Sequence, residues 1–368
     1  MAGSIKDRIV FLDYMRVFAF VSVLIGHKFF EHLANLANDA TQHVTIRTIA
    51  DLLMPLCQGG AAGVVVFFLT SGYIITHVLQ KEAATDFLIK RIFRIYPLYI
   101  TAVILEATFK TSISGEPFPE TIVFIQRLLL IGDFFNTLPA LNGVEWTLRI
   151  EILFYLFMFV MKSAGAFHFQ KLLPAIYILA AYSLYKMPPV PSTQVWSAGY
   201  LNAYGPFLFI GSMLYLAERR FSSRLVCAAA SAAMLYISMN VIAGYQPNWK
   251  GSHYAILAVF IFMTALFLRS QLEDSKFLRL LSDLTYSVYL FHNWTWDYIA
   301  IPVRWLGLSG KWEQFGILIT LLLFCFAMHR TIETYGIGLS RPAITLFSRF
   351  KKSATLNRNI EAAKPPVV

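Results

Sequence analysis

The sequence predicts an all-α polytopic membrane protein with about ten transmembrane helices and one further interfacial or re-entrant helix. Three observations carry that expectation. Of 368 residues, 57% are hydrophobic and 14% charged, with a mean hydropathy of +0.58, far from the composition of a soluble globular domain. Apolar runs long enough to cross a bilayer as helices recur along the whole chain. The 31 Lys and Arg gather in alternate connections, as the positive-inside rule requires of a polytopic chain.

The first run, residues 9–30, is followed by a polar loop over 31–58 and a second run over 59–79. A basic connection holding Lys90, Arg91 and Arg94 leads into a third run, 95–109. Later runs cover 150–161, 172–185, 204–216, 225–243, 254–268, 284–301 and 315–328. Residues 121–135 are apolar but interrupted by Gln126, Arg127 and Asp133. Counting them as a span inverts every later loop and destroys the charge bias, so they are expected on the outer surface without crossing. Both termini then face the cytoplasm, and 346–368 form a basic, disordered cytoplasmic tail.

Composition also excludes. The net charge of +10 lies in membrane-flanking clusters, which argues for orientation and against nucleic acid. Cys57, Cys227 and Cys325 lack metal-site spacing, so neither a disulfide framework nor a metal site is expected. No cleavable signal pattern opens the chain.

Asp13, Arg16 and His27 lie inside the first apolar run. Ionisable groups at membrane depth normally face a protein interior or a water-filled cavity and mark a functional path. Eleven positions on an α-helix place Arg16 and His27 about 20° apart in angle and roughly 16 Å apart along the axis. They share a face at different depths. Asp13, one turn before Arg16, is placed to pair with it.

Ser71, Gly72 and Thr76 sit within the second run, where they serve either close helix packing or a ligand. Arg91 and Arg94 stand one turn apart at the cytoplasmic mouth, as topogenic charges, as a phosphate clamp, or as both. Trp146 reads as interfacial, and Glu151 enters the membrane at a depth comparable with His27, where it would orient the imidazole. His292 lies within the ninth run, near Tyr289. It bonds a neighbouring helix or takes part in the chemistry. The expectation is therefore an inner cluster of cations and hydroxyls, an outer His and Glu pair, and a cavity joining them.

Taken in order, Asp13-x-x-Arg16 with His27, FFLTSGY from Phe67, Arg91-x-x-Arg94-x-Tyr96-Pro97, Trp146-Thr147-Leu148-x-x-Glu151 and Tyr286-Ser287-x-Tyr289-Leu290-x-His292 resemble the acyltransferase-3 family of integral-membrane O-acyltransferases. The resemblance covers nearly the whole chain and makes 1–345 the membrane acyltransferase domain. Thr147 and Thr285 stand where serine is common, and Ser282-Asp283 replaces a glycine-containing turn.

The resemblance implies an acyl-CoA co-substrate, usually acetyl-CoA, and transfer to a hydroxyl of a sugar, glycolipid or polysaccharide, in a bacterial inner (plasma) membrane. It also implies roles for Arg16, Ser71, Arg91, Arg94, His27 and Glu151 in donor binding or catalysis. On this expectation Arg91, Arg94 and Arg16 hold the coenzyme phosphates and His27 acts as base or as acyl carrier. His292 and Tyr289 are candidates for stabilising the oxyanion, and Trp146, Trp196 and Tyr200 for lining the acceptor side. The partners expected are acyl-CoA, the glycan acceptor and membrane lipids. The alternative is a secondary transporter or lipid-linked sugar flippase that uses the buried Arg, His and Glu as a proton relay, which predicts an inverted repeat not visible in the chain.

Overall fold

The computed structural model describes residues 8–192, 196–245 and 253–362, and the described chain is helical with no β-strand. In order the helices are α1 (Val10–Lys28), α2 (Phe30–Asn38), α3 (Val44–Cys57), α4 (Ala61–Leu79), α5 (Ala84–Ser114), α6 (Thr121–Leu128), α7 (Trp146–Ser163) and α8 (Leu173–Lys186). They continue with α9 (Tyr200–Glu218), α10 (Arg224–Tyr245), α11 (Tyr254–Phe267), α12 (Lys276–Phe291), α13 (Thr295–Trp305), α14 (Gly310–Met328) and α15 (Thr334–Ala362). Every apolar run read as a span is occupied by a helix. Among the described residues, five stretches are long and apolar enough to cross a membrane: Val10–Lys28, Val44–Leu79, Ala84–Ser114, Arg224–Tyr245 and Gly310–Arg349. The protein is an all-α polytopic membrane protein.

Four segments differ in detail from the pattern of apolar runs. The polar loop over 31–58 folds into α2 and α3, the second capped by the His43 ring accepting from the Thr45 amide at 3.3 Å. The third run extends back to Ala84, because the Lys and Arg before it are themselves good helix formers. The run 284–301 is broken between Phe291 and Thr295, where the Asn293 carbonyl leaves the helix ladder and accepts from Lys28 Nζ at 3.1 Å. Where the sequence predicts a disordered tail, α15 continues as helix through Ala362, and residues 363–368 lie outside the described part. Residues 121–135 form only the short α6 and a 3-10 turn, Gly132–Phe135, so this segment does not span.

Small residues set the packing around α4. A Cβ on Gly72 would lie 1.9 Å from the Leu208 carbonyl oxygen, and one on Gly211 would lie 2.1 Å from that of Leu69. The two glycines therefore let the backbones of α4 and α9 touch. Gly63 does the same for α1, since its Cβ would meet the Ala19 carbonyl at 2.5 Å. With α1 and α9 fixed on α4, the space left between α1, α4, α5, α7 and α12 becomes a polar chamber.

Candidate active site

The chamber holds about 90 Å³. Arg16 comes from the first half of α1, Arg91 and Arg94 from the first half of α5, and Ser71 from the second half of α4, which runs antiparallel to α1. These four residues, separated in sequence, meet as predicted. The Arg91 guanidinium lies 5.4 Å over the Phe87 ring, which fixes its plane while its Nε stays buried without a hydrogen-bond partner.

Asp13 is the hub beneath this mouth. Fully buried, it accepts from Arg8 at 2.6 Å, from Ser282 Oγ at 2.6 Å and from Arg16 at 3.3 Å. The expected Asp13–Arg16 pair is present, with Arg8 held more closely. Arg8 also reaches Asp283 at 3.1 Å, so the start of α1 is tied to α12.

Three sequence expectations are corrected here. Glu151 is not beside His27: it lines the cationic chamber, accepting from Ser71 Oγ and from Tyr155 OH at 2.5 Å. The sequence places Glu151 by its depth from the start of α7, but the helix turns it toward α4 and α5, into the chamber that Arg16, Arg91 and Arg94 also line. Gly72 does not open a path for a ligand, because its open side faces the α9 backbone. Thr76 is fully buried and donates to the Gly72 carbonyl at 2.8 Å, away from the chamber.

Two threonines to which the sequence assigned no role, Thr70 and the motif residue Thr285, also line the chamber. Thr70 and Thr285 face it from α4 and α12, and both buried hydroxyls lack any hydrogen-bond partner. An unpaired buried hydroxyl is costly, so these two and Arg91 Nε mark where a polar ligand would bind.

The other end of α1 carries His27, exposed, and the end of α12 carries His292, fully buried. The rings meet edge to face with centroids 5.2 Å apart. His292 Nδ1 lies 2.8 Å from the Tyr289 carbonyl oxygen. A carbonyl can only accept, so Nδ1 carries the proton and Nε2 is left as a lone pair, buried and without a partner. Tyr289 OH in turn donates to the Val144 carbonyl at 2.9 Å and accepts from Thr147 Oγ1 at 2.7 Å. Both residues expected to stabilise an oxyanion thus have their protons committed to backbone carbonyls.

Between the two ends lies an apolar gap of about 10 Å³, bordered by Ala19, Val23, Gly63, Thr147 and Tyr289. It shares Phe67 and Thr285 with the polar chamber, and Phe67 stacks parallel to Tyr289 at 6.2 Å. The gap has room for about one water, and neither it nor the chamber is lined by His27, so the expected passage is approached from the arginine side without reaching the imidazole.

A polar loop covers the histidine end. Glu106 on α5 accepts from the amides of Leu141 at 2.7 Å and Asn142 at 3.3 Å, and Glu145 accepts from that of Ala140 at 2.8 Å. Leu141 and Asn142 have φ of 52° and 50°, a left-handed conformation that the two carboxylates hold in place. Asn293 Nδ2 donates to the Asn142 carbonyl at 3.2 Å, so the loop rests on the break after α12. Trp146 packs under this loop against Tyr200 at 4.5 Å and Tyr204 at 5.0 Å, whereas Trp196 is 50% exposed, 5.4 Å from Tyr200. Trp196 thus presents an open aromatic face, and Trp146 does not.

Comparison with known proteins agrees with this architecture. Residues 9–330 match the family model described as "Acyltransferase domain". The chain is 24% identical over 339 residues to Nodulation protein 10 of Rhizobium leguminosarum bv. viciae, covering 82% of this chain and 86% of that protein. It is 23% identical over 299 residues to Acyltransferase MdmB of Streptomyces mycarofaciens, covering 73% of this chain and 77% of the relative. No solved structure matches. An all-helical membrane body, a chamber lined by three arginines and a match spanning nearly the whole chain lead to one conclusion: the protein belongs to the acyltransferase-3 family and is a membrane-embedded acyltransferase.

Proposed function

We propose that this protein transfers an acyl group, acetyl in the first instance, from cytoplasmic acyl-CoA to a hydroxyl of a sugar, glycolipid or polysaccharide on the outer side of a bacterial inner membrane. The observation that supports the proposal is an arginine chamber set next to a gap that leads toward the histidine end. A chamber with Arg16, Arg91 and Arg94 shares Phe67 and Thr285 with a gap that reaches Tyr289, the neighbour of His292 and so of His27. Guanidiniums recognise phosphate by paired charge-assisted hydrogen bonds, which suits the coenzyme's phosphates. Thr70 and Thr285 supply hydroxyls for the amides of the pantetheine arm.

His27 is the general base. Its ring nitrogen takes the proton of the acceptor hydroxyl as the oxygen bonds to the thioester carbonyl carbon. The carbon–sulfur bond then breaks, and the imidazolium returns the proton to the leaving thiolate. Glu151 serves the donor end, balancing the arginines and holding Ser71 and Tyr155. The exposed Trp196 offers an apolar face on which a sugar ring can stack. The positive-inside bias of the loops supports a cytoplasmic arginine chamber and cytoplasmic termini.

The test is purified protein with labelled acetyl-CoA and extracted envelope glycans, with acylated product identified by mass spectrometry. Transfer that disappears in His27→Ala while coenzyme A still binds is the expected result. Full turnover in His27→Ala refutes the assignment.

A further inference from the structure

His27 needs a partner. A neutral imidazole has one N–H and one lone pair, and a base is effective only if the lone pair is the one presented to the substrate. A carboxylate commonly enforces that choice. Here Glu151 is committed to Ser71 and Tyr155 in the other chamber. The charged group beside His27 is Lys28, a cation, whose Nζ is bonded to the Asn293 carbonyl at 3.1 Å.

We propose that His292 is the positioning partner of His27: its buried, unshared Nε2 lone pair accepts the His27 N–H, leaving the other His27 nitrogen free as the base. Three observations converge on this. The Tyr289 carbonyl at 2.8 Å fixes the proton of His292 on Nδ1, so Nε2 can only accept. That Nε2 has no other partner and is shut off from solvent, although an unsatisfied buried acceptor is costly. The ring that meets His292 edge to face, at a centroid separation of 5.2 Å, is His27, close enough for the two imidazoles to share a hydrogen bond once a His27 nitrogen is turned to Nε2. Tyr289 is itself anchored to Val144 and Thr147, so the acceptor is held by a chain of hydrogen bonds running to α7.

The inference rests on His27 being the base. In the reaction the acceptor O–H bond breaks as an N–H bond forms on His27. The resulting imidazolium keeps its hydrogen bond to His292 Nε2 until the thiolate takes the new proton. His292 touches neither substrate and holds no net charge.

The full chain, labelled with ¹⁵N-histidine in detergent micelles, tests this directly. Nitrogen NMR of the wild type should give His292 with its proton on Nδ1 and His27 in a single tautomer. A His292 protonated on Nε2 overturns the proposal without any variant. In His292→Phe, His27 should sample both tautomers, and its carbethoxylation by diethyl pyrocarbonate, read by peptide mass spectrometry, should slow by about twofold, because the lone pair then sits on the free nitrogen only part of the time. His292→Gln, which retains an acceptor oxygen, should recover part of that rate. An unchanged His27 tautomer and rate in His292→Phe, or a Gln variant no better than Phe, overturns the proposal. If His27→Ala retained turnover, the catalytic reading would fail instead, and the two failures are told apart.

Discussion

Ser71 donates its hydroxyl proton to Glu151 across the α4–α7 contact, which places the carboxylate one chamber away from His27. The acid that reads as a histidine partner in sequence shares a chamber with arginines in space. Glu151→Ala should therefore act on stability and donor binding. Leaving the buried Ser71 and Tyr155 hydroxyls without their acceptor is expected to cost about 1–3 kcal/mol. The measurement is thermal unfolding in detergent, and the reactivity of His27 toward diethyl pyrocarbonate should stay at the wild-type value.

Arg91 and Arg94 line the chamber from successive turns of α5. Replacing either by Ala should weaken coenzyme A binding by roughly 1.5–3 kcal/mol, the usual value of a charge-assisted hydrogen bond. Titration calorimetry at low and moderate salt reads it. Lys should fail to restore the affinity of Arg91, because an ammonium can neither stack flat on Phe87 nor bind two oxygens at once.

Thr285 carries a buried hydroxyl without a partner at the junction of the two cavities. Thr285→Val should leave the ligand-free protein as stable or more stable, since a costly group is removed. Affinity for acetyl-CoA should nevertheless fall by about 1 kcal/mol if the coenzyme arm satisfies that hydroxyl. Opposite signs in the melting curve and the binding isotherm are the expected signature. Equal affinity in both proteins would mean that the arm takes another course.

Gly72 tests the packing alone. A methyl group there meets the Leu208 carbonyl at 1.9 Å, and that backbone cannot yield without moving α9. Gly72→Ala should lower the melting temperature in detergent or abolish folding. Gly244→Ala meets nothing within 4 Å and should be neutral or slightly stabilising.

The chamber was legible because Arg16 is a charge where an apolar helix should have none, and because Arg91 and Arg94 stand one turn apart in the basic connection at the same depth. His27 and His292 were visible singly, but nothing in a linear pattern says that the ends of α1 and α12 meet. Thr70, and the unpaired state of the Thr285 hydroxyl, were invisible for a physical reason. A threonine in such a helix ordinarily bonds back to the carbonyl four residues earlier, as Thr76, Thr101 and Thr108 do here. Only the fold shows that Thr70 and Thr285 do not. Glu106 and Glu145 escaped notice because their partners are backbone amides of a loop, which have no sequence signature.

The contact of Gly72 and Gly211 with the opposing backbones has a mechanical corollary for the narrow neck. A wall seated backbone on backbone cannot retreat, so any widening around Phe67 must come from the α12 side. The end of α12 that carries His292 stops at a break before α13 and is tied to α1 through Lys28, to the loop at Asn142 and, through Tyr289, to Val144 and Thr147. On the proposed function, a carrier threading the neck would press on the helix that bears His292, so that loading the donor and aligning the base would be linked.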